Sequence, residues 1–316
     1  MKIGVIVQAR MNSQRLPSKV LTIVNEKPLL QYLLERLKCC SSIDQIVVAT
    51  SDNKSDDPIA EFCNEYGALC FRGPLQNVAK RFYMVLEKYN FDAFVRICGD
   101  SPILDQKLID KAVKIYNEEY DLVTNILTRS YPLGQSVEVI RTSTFKKIYE
   151  KMSTPDHFEH ITKYYYEMPD EFRIKNFSNI KDLSGCRLVV DTPEDLKRIE
   201  KIIHSMTKPH IDYSLDDSMK LYLSSNKSFM LNAGVIGMGI GEKHALAYQN
   251  HSNTILKTIC DFDNDKSKEL NTKFPNIGIE NKCKTILENK DINIVSIASY
   301  DNFHMSQTIK ALENGK

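Results

Sequence analysis

The sequence is poor in the features that mark secreted, zinc-binding and membrane proteins. Its eight cysteines are scattered without a C-x-x-C pair or zinc-type spacing, which favours reduced thiols in a cytoplasmic protein. No apolar run approaches the length of a membrane span, and the apolar start of the chain, which ends at Arg10, lacks a signal-peptide pattern. The net charge is only +1, so neither nucleic acid nor an anionic membrane is expected as a partner.

What the sequence does contain is a regular alternation of strand-like and helix-like segments. This alternation predicts α/β domains in which a mostly parallel sheet is covered by helices, and 316 residues suffice for two of them. In such sheets, ligands bind beyond the carboxyl ends of the strands. Strands are predicted at 3–7, 45–50, 93–100, 121–126 and 186–191, and helices at 29–37, 56–67, 78–89 and 108–120.

Three cations follow the first predicted strand within a short stretch. In VIVQARMNSQRLPSKVL, residues 5–21, the side chains of Arg10, Arg15 and Lys19 flank Ser13 in a loop that leads toward a helix. Arginine forks and a lysine point charge bind phosphate oxygens, and backbone N–H groups around Ser13 add donors. The loop therefore suits a polyphosphate. The alternative is a solvated surface loop whose cations pair with nearby acids.

Two acids each end a predicted buried strand, Asp100 after residues 93–99 and Asp191 after 186–190. An unpaired carboxylate there is costly to desolvate, and Mg²⁺ between the two would remove that cost. Mg²⁺ commonly uses one or two protein carboxylates together with substrate phosphates and water. The alternatives are a turn acid for Asp100 and, for Asp191, an acid near the N-terminus of a helix that Thr192 caps.

Together these segments resemble a known family. VQARMNSQRLPSKVL, VVATSDN, VRICGDSPILD and RLVVDTPEDL occur in the order found in cytidylyltransferases that activate acidic sugars. These include the 3-deoxy-manno-octulosonate, acylneuraminate and spore-coat-polysaccharide types, and the resemblance covers about 1–206. It implies a glycosyltransferase-A-like nucleotide-binding fold, and transfer of CMP from CTP to an acidic or phosphorylated acceptor with release of pyrophosphate. It is compatible with a homodimer.

The resemblance also implies roles for individual residues, among which Arg10, Arg15, Lys19 and Asp100 are expected to act in catalysis. The sequence departs from the family pattern at Asn77 and Phe158, where members often carry an acid and an arginine. By the resemblance, the triphosphate is bound by Arg10, Ser13, Arg15 and Lys19, and Mg²⁺ by Asp100 and Asp191. Ala9 and Gly99 lie near the base and ribose. The acceptor pocket contains Glu138, Glu159 and His160.

Three alternatives stay open at the level of sequence. A glycosyltransferase of the same fold usually holds its metal with an Asp-x-Asp pair, whereas the third predicted strand ends in the single acid Asp100. A regulatory nucleotide-binding module without turnover is disfavoured because Asp100 and Asp191 are both present. The choice of CTP over UTP rests on the resemblance alone.

A second α/β pattern begins at 231, after a segment, 207–230, that is expected to be a linker with one short helix. GVIGMGIGEKHALAY, residues 234–248, opens a helix after a strand, and its glycines are Gly237, Gly239 and Gly241. Asp261 ends the next predicted strand, as a ribose-binding acid would. The segment resembles the start of the glucose-fructose oxidoreductase/inositol dehydrogenase family, which implies an NAD(P) site. Because residues 231–316 cover only half of such a domain, a competent dehydrogenase is not expected, and an oxidoreductase as the main activity is the weaker alternative.

Overall fold

The protein is described by a computed structural model that covers residues 1–225, 231–251 and 253–316. Contacts divide the chain into two compact units, Met1–Ser225 and Asn226–Lys316. Among the described residues, no helix combines the length and apolar character needed to cross a membrane.

The predicted alternation of strands and helices is present in both units. The strands are β1 Ile3–Gln8, β2 Ile23–Val24, β3 Lys27–Pro28, β4 Gln45–Ser51, β5 Leu69–Gly73, β6 Ala93–Cys98, β7 Leu122–Thr124, β8 Glu138–Arg141, β9 Ile174–Asn176, β10 Leu231–Ile236, β11 Thr254–Cys260, β12 Gly278–Glu280 and β13 Ile294–Ile297. The helices are α1 Leu29–Leu37, α2 Asp57–Tyr66, α3 Val78–Tyr89, α4 Gln106–Ile115, α5 Thr142–Lys151, α6 Pro155–Glu159, α7 Lys163–Glu167, α8 Pro193–His204, α9 Leu215–Ser225, α10 Gly241–Asn250, α11 Ser267–Lys273, α12 Cys283–Glu288 and α13 Asp301–Glu313.

The first unit is built on a seven-stranded sheet in the order β5-β4-β1-β6-β8-β7-β9. Strands β5, β4, β1 and β6 are parallel, and β8 runs antiparallel to both of its neighbours. Val5, Ile6 and Val7 of β1 are fully buried, as expected for a central strand covered on both faces. The chain crosses from β1 to β4 on one side and returns to β6 on the other, so the carboxyl end of β1 lies at a topological switch point. The mostly parallel α/β fold predicted from the sequence is confirmed.

The predicted helix at 108–120 is wrong at its C-terminal end. Helix α4 begins at Gln106, where the Asp105 side chain accepts a hydrogen bond from Lys107 N at 2.9 Å, and it ends at Ile115. Tyr116 adopts an extended conformation and is buried. The apolar side chain that led the prediction to extend the helix therefore packs against the core from a turn.

The predicted strand at 186–191 is also wrong. The segment is extended and buried, but it makes only an isolated parallel bridge, between Leu133 and Arg187. Val190 N donates to the Asp100 carbonyl at 2.9 Å, which joins the end of this segment to the end of β6. Leu188 and Val190 belong to the core cluster that contains β1, so the apolar run reflects burial in the core without membership of the sheet.

The segment expected to be a linker is packed into the first unit as far as Ser225. The Arg36 guanidinium, which is fully buried, donates to the carbonyls of Leu104, His210 and Tyr213. Met219 of α9 joins the core cluster that contains β1. The polar composition that suggested a linker is the exposed side of these elements, and residues 226–230 of the predicted linker lie outside the described residues.

The second unit has a four-stranded parallel sheet in the order β12-β11-β10-β13. The strand predicted before the glycine turn corresponds to β10, and the strand predicted to end at Asp261 corresponds to β11, which ends one residue earlier at Cys260. The short strand β12 and helix α12 were not predicted, because a three-residue strand and a six-residue helix carry too little periodicity to be recognised.

Candidate active site

A buried carboxylate shapes the loop that follows β1. Asp56 is fully buried and accepts hydrogen bonds from Met11 N at 2.7 Å, from Ser51 N at 3.2 Å and from the Ser51 hydroxyl. The loop is thereby tied to the end of β4. The sequence identified Asp56 only as the start of a helix, because an acid before a helix is usually a cap.

Lys19 lies at the centre of the polar cluster. It opens a short 3-10 turn after Ser18, and its Nζ contacts Asp100 Oδ2 at 2.6 Å and Asp191 Oδ1 at 2.7 Å. Lys19 is only 8% exposed. Burial alone would lower the pKa of Lys19, but the charges and hydrogen bonds of the two carboxylates outweigh burial, so the pKa is raised. Two acids that are 91 residues apart in the chain thus meet at one ammonium group.

The elements of the fold explain why Asp100 and Asp191 meet. Asp100 follows the last residue of β6 by two positions, at the edge of the sheet where β1 also ends. Asp191 precedes α8, which begins with a capping box in which Thr192 and Asp195 bond each other's backbone N–H groups. This cap fixes the chain direction at the start of the helix and with it the position of Asp191.

The two arginines of the loop are also paired with acids. Arg15 Nη2 lies 3.2 Å from Asp191 Oδ2, and Arg10 Nη1 lies 2.7 Å from Glu159 Oε1 at the end of α6. The Arg15 side chain is 65% exposed and that of Arg10 is 42% exposed. Ion pairs with this much exposure are weak, so both guanidinium groups can change partners at little cost.

These side chains surround a cavity of 580 Å³ at the carboxyl edge of the sheet, called here the larger cavity. Its wall contains every site residue predicted for this unit except Glu138. Gly99 and Ala9 lie side by side in it: Gly99 N donates to Gln8 O at 2.8 Å, and a Cβ at position 99 would lie 3.1 Å from that of Ala9. The lining residues are Gln8, Ala9, Arg10, Asn12, Ser13, Gln14, Arg15, Lys19, Val20, Arg96, Cys98, Gly99, Asp100, Glu159, His160 and Asp191.

Comparison with known proteins identifies the first unit. Residues 4–229 match the family described as Cytidylyltransferase. This match spans more than half of the chain. The chain belongs to the cytidylyltransferase family.

Individual relatives agree with this assignment. The spore coat polysaccharide biosynthesis protein SpsF of Bacillus subtilis is 31% identical over 62% of this chain and 84% of its own length. A solved cytidylyltransferase from Leptospira borgpetersenii is 30% identical, with a TM-score of 0.69 over 72% of this chain and 96% of that one. A CMP:2-keto-3-deoxy-manno-octonic acid synthetase complexed with CTP shares the fold, with 17% identity and a TM-score of 0.50 over 65% of this chain and 99% of that one. The resemblance noted from the sequence is confirmed, and the chain is a nucleotidyltransferase.

Two of the predicted acceptor residues of this cytidylyltransferase lie at the open side of the larger cavity. Glu159 is engaged by Arg10, whereas the side chain of His160 is 60% exposed and its Nε2 lies 3.7 Å from Asp156 Oδ1. Glu138 lies elsewhere, in the wall of a smaller cavity of 200 Å³. The structure therefore does not bring Glu138 together with Glu159 and His160 in one pocket.

Sequence reasoning missed Arg96 and Arg187, which stand beside the predicted acids. Arg96 is in β6 and pairs with Glu138 of β8, Nη1 to Oε2, at 2.7 Å. Arg187 Nη2 lies 3.7 Å from Asp191 Oδ2 and 2.8 Å from Asp195 Oδ2. A cation inside an apolar predicted strand is a usable signal for both, since Arg96 lies in the strand predicted at 93–100 and Arg187 in the one predicted at 186–191.

The carboxylate pair fits the donor set that Mg²⁺ prefers. Among the described residues, no group of three or more His, Cys, Asp and Glu side chains has the arrangement of a metal site. Asp100 and Asp191 nevertheless face one cationic centre with an oxygen each. That suits an ion which takes its remaining ligands from substrate phosphates and water.

The second unit matches the NAD-binding Rossmann family of oxidoreductases over residues 231–316. Its glycine turn joins β10 to α10. Gly237 has φ +86°, and a Cβ there would lie 2.4 Å from the Ala298 carbonyl oxygen, so the position requires glycine. A Cβ at Gly241 would lie 2.9 Å from Val235, whereas Gly239 has open space. Asp261 Oδ2 accepts from Met238 N at 2.8 Å, which ties the predicted ribose acid to the turn.

Proposed function

We propose that the first unit transfers CMP from CTP to a small acidic or phosphorylated acceptor, with Mg²⁺ as cofactor and pyrophosphate as the second product. The observation that carries the proposal is the contact of Lys19 with both Asp100 and Asp191 inside the cavity that Arg10 and Arg15 also line. The relation to SpsF supports a role in precursor synthesis for a surface polysaccharide or glycoconjugate. We place this role in the cytoplasm, for which the scattered cysteines are typical.

In the proposed reaction an acceptor oxygen attacks the α-phosphorus of CTP, the bond from that phosphorus to the bridging oxygen breaks, and pyrophosphate leaves with the bond electrons. Arg10, Arg15 and Lys19 would bind the phosphate oxygens and stabilise the charge that develops on the leaving group. Mg²⁺, held by Asp100 and Asp191, would supply further charge stabilisation on the phosphates. Asp191 and Glu159, which pair with the arginines in this structure, hold those side chains at the cavity before substrate binds.

The acceptor determines whether a general base is required. A phosphate or carboxylate acceptor is already ionised at neutral pH and attacks without one. His160, the candidate base for a hydroxyl acceptor, is 60% exposed and points to Asp156 on its own helix-loop segment. We therefore favour an ionised nucleophile.

The test is pyrophosphate release from each of the four common nucleoside triphosphates in the presence of Mg²⁺. The acceptor panel contains sugar acids and small phosphorylated polyols and sugars. We expect release that requires CTP and an ionised acceptor, and that is lost in Lys19→Met but kept in Lys54→Met, an exposed control. Release with UTP alone would identify a uridylyltransferase, and sugar transfer from a nucleotide sugar without pyrophosphate would identify a glycosyltransferase.

For the second unit we propose a dinucleotide site at the turn between β10 and α10. The turn leads into the N-terminus of α10, where the helix dipole favours a pyrophosphate, and Asp261 directly follows the adjacent strand β11. Fluorescence titration with NADH tests the proposal. Binding that is weakened by Gly237→Ala and kept in Gly278→Ala, a control in β12 where a Cβ would make only ordinary contacts, is expected. Equal binding by both variants, or none by the wild type, would contradict it.

A further inference from the structure

The smaller cavity adjoins the larger one at the carboxylate pair. The two cavities share the wall residues Arg96, Cys98, Asp100 and Asp191. A molecule in the smaller cavity therefore lies next to the proposed metal ligands, on the side away from the cationic loop. The remaining wall residues of the smaller cavity are Ser101, Leu133, Gly134, Ser136, Glu138 and Val189.

Glu138 offers nothing to a ligand in this cavity, because both of its oxygens are engaged. Oε2 accepts from Arg96 Nη1 at 2.7 Å, and Oε1 accepts from the Tyr166 hydroxyl at 2.6 Å. The Tyr166 hydroxyl also lies 2.9 Å from Thr124 Oγ1, and Glu138 is 1% exposed. Glu138 is thus a positioning residue that fixes the Arg96 guanidinium.

Arg96 keeps donors to spare. Its Nη2 lies 3.5 Å from Gln8 Oε1, a distance at which a hydrogen bond is weak, and its Nε has no hydrogen-bond partner among the described residues. A second cation stands close by, since Arg129 Nη1 donates to the Ser136 hydroxyl at 3.2 Å. Arg129 is not itself in the cavity wall, which carries the carboxylates of Asp100, Glu138 and Asp191. The donors that the wall offers to an anion are therefore those of Arg96, at the end away from the carboxylate pair that is proposed to hold the metal.

The walls restrict the size of the occupant. Gly134 has φ +92°, and a Cβ there would lie 2.5 Å from the Leu188 backbone, so two chain segments are in close contact on one side. The volume of 200 Å³ is below the range of about 300–1,000 Å³ that is usual for sites of drug-sized ligands. The occupant is therefore compact.

From these observations we propose that the smaller cavity is the acceptor site and that Arg96, fixed by Glu138, binds the anionic group of a small phosphorylated or carboxylated acceptor. The inference rests on the proposed cytidylyltransferase function. In this proposal Glu138 positions Arg96 and does not contact the acceptor. The acceptor would approach the nucleotide from the side of β8.

The test measures anion binding to the full chain after the nucleotide site has been saturated. The protein is loaded with the α,β-methylene analogue of CTP and Mg²⁺, and inorganic phosphate or acetate is then titrated by calorimetry. We expect one further oxyanion to bind. A stronger response to phosphate assigns a phosphorylated acceptor, and a stronger response to acetate assigns a carboxylated one.

The deciding variant is the pair Arg96→Gln/Glu138→Gln, which removes both charges and leaves no buried charge without a partner. Because Arg96 also lines the larger cavity, the affinity of this variant for the CTP analogue is measured first. Its oxyanion affinity should then fall about tenfold to a hundredfold, the usual worth of a charged hydrogen bond. Arg173→Gln, at an exposed arginine, is the matched control and should bind like the wild type. Unchanged oxyanion affinity in the paired variant, or no oxyanion binding by the loaded wild type, would overturn the inference.

Arg96→Lys decides the matter if the paired variant does not bind the analogue. It keeps the positive charge beside Glu138 but loses the guanidinium fork, so oxyanion affinity should fall about tenfold with analogue binding intact. Equal affinity would refute the role of Arg96. A wild type that does not bind the CTP analogue at all would instead refute the proposed function.

Discussion

Both units begin with a parallel strand that leads into a turn at the carboxyl edge of its sheet, but the two turns offer different groups. After β1 come Arg10, Arg15 and Lys19, each paired with an acid. After β10 comes a turn of glycines with apolar residues, in which 237–241 contain no charged side chain. The turn after β1 therefore offers side-chain cations to a ligand, whereas the turn after β10 offers backbone groups.

The two turns should therefore tolerate different substitutions. A turn that depends on cations is sensitive to the loss of a charge and tolerant of added side-chain atoms at its exposed positions. A turn that depends on backbone is sensitive to a Cβ where φ is positive or where another segment lies close, as at Gly237. Substitutions of charge and of glycine therefore separate the two units.

Lys19→Met should give the largest effect. It removes the cation that contacts both carboxylates, so pyrophosphate release should fall by a factor of about 10²–10³ in kcat, the usual cost of losing one preorganised donor in an active site. Steady-state pyrophosphate release measures it, with Lys54→Met as control. A kcat within threefold of the wild-type value would contradict the difference between the two turns, because the turn after β1 would then not depend on its charge.

Asp100→Asn and Asp191→Asn should each lower kcat/KM by roughly a hundredfold at limiting Mg²⁺, because a carboxylate ligand of the metal is lost. Titration of activity with Mg²⁺ measures the shift, and high Mg²⁺ should restore part of it. Asp110→Asn is a matched control, since Asp110 caps Ser41 and Ser42 away from the cavity. A Mg²⁺ dependence that is the same in all three variants would contradict the assignment of the pair.

Gly237→Ala should disturb the second unit alone. A residue forced to φ +86° against the Ala298 carbonyl costs about 1–3 kcal/mol, while Gly239→Ala should change stability by about 0.5 kcal/mol or less. Hydrogen–deuterium exchange of Leu231–Ile236 should accelerate in the first variant only, with pyrophosphate release unchanged in both. Equal protection in the two variants would show that the turn does not depend on a missing Cβ.

The smallest expected effect is that of Asp195→Asn, at the N-terminal cap of α8 next to Asp191, on the free energy of unfolding. Burial alone would raise the pKa of Asp195, but hydrogen bonds from Arg187 and Arg198 hold it well below the ordinary 3.8. A lowered pKa stabilises the fold above that ordinary value, and this contribution is lost as the pH falls through the folded pKa. Asp195→Asn should therefore cost about 2 kcal/mol at pH 7 and progressively less in acid.

Denaturant unfolding at several pH values measures this dependence. Thr192→Ser, which keeps the capping hydroxyl, is the control and should unfold like the wild type. A cost for Asp195→Asn that does not change between pH 7 and pH 2 would contradict the account.

Features that depend on neighbouring residues in the sequence could be predicted, whereas features that depend on contacts between distant segments could not. The bounds of helix α3 and the N-cap of α8 at Thr192 were predicted correctly, because helical periodicity and caps depend on neighbouring residues in the sequence. The strand predicted at 186–191 was wrong because a segment that is buried in the core beside a sheet has the same apolar run as a strand within the sheet. The Arg96–Glu138 pair was missed because it depends on β6 and β8 being neighbours in the sheet. The packing of the expected linker was missed because it depends on Arg36, in the distant helix α1, which donates to the His210 carbonyl.

A crystal structure of the full chain with Mg²⁺ and the α,β-methylene analogue of CTP would show directly whether the two acids hold a metal beside the nucleotide. We expect a metal ion coordinated by Asp100 and Asp191, with Lys19 and the arginines of the β1 turn on the phosphate oxygens. A nucleotide bound elsewhere, or one bound in the larger cavity while Lys19 still joins two metal-free carboxylates, would contradict it.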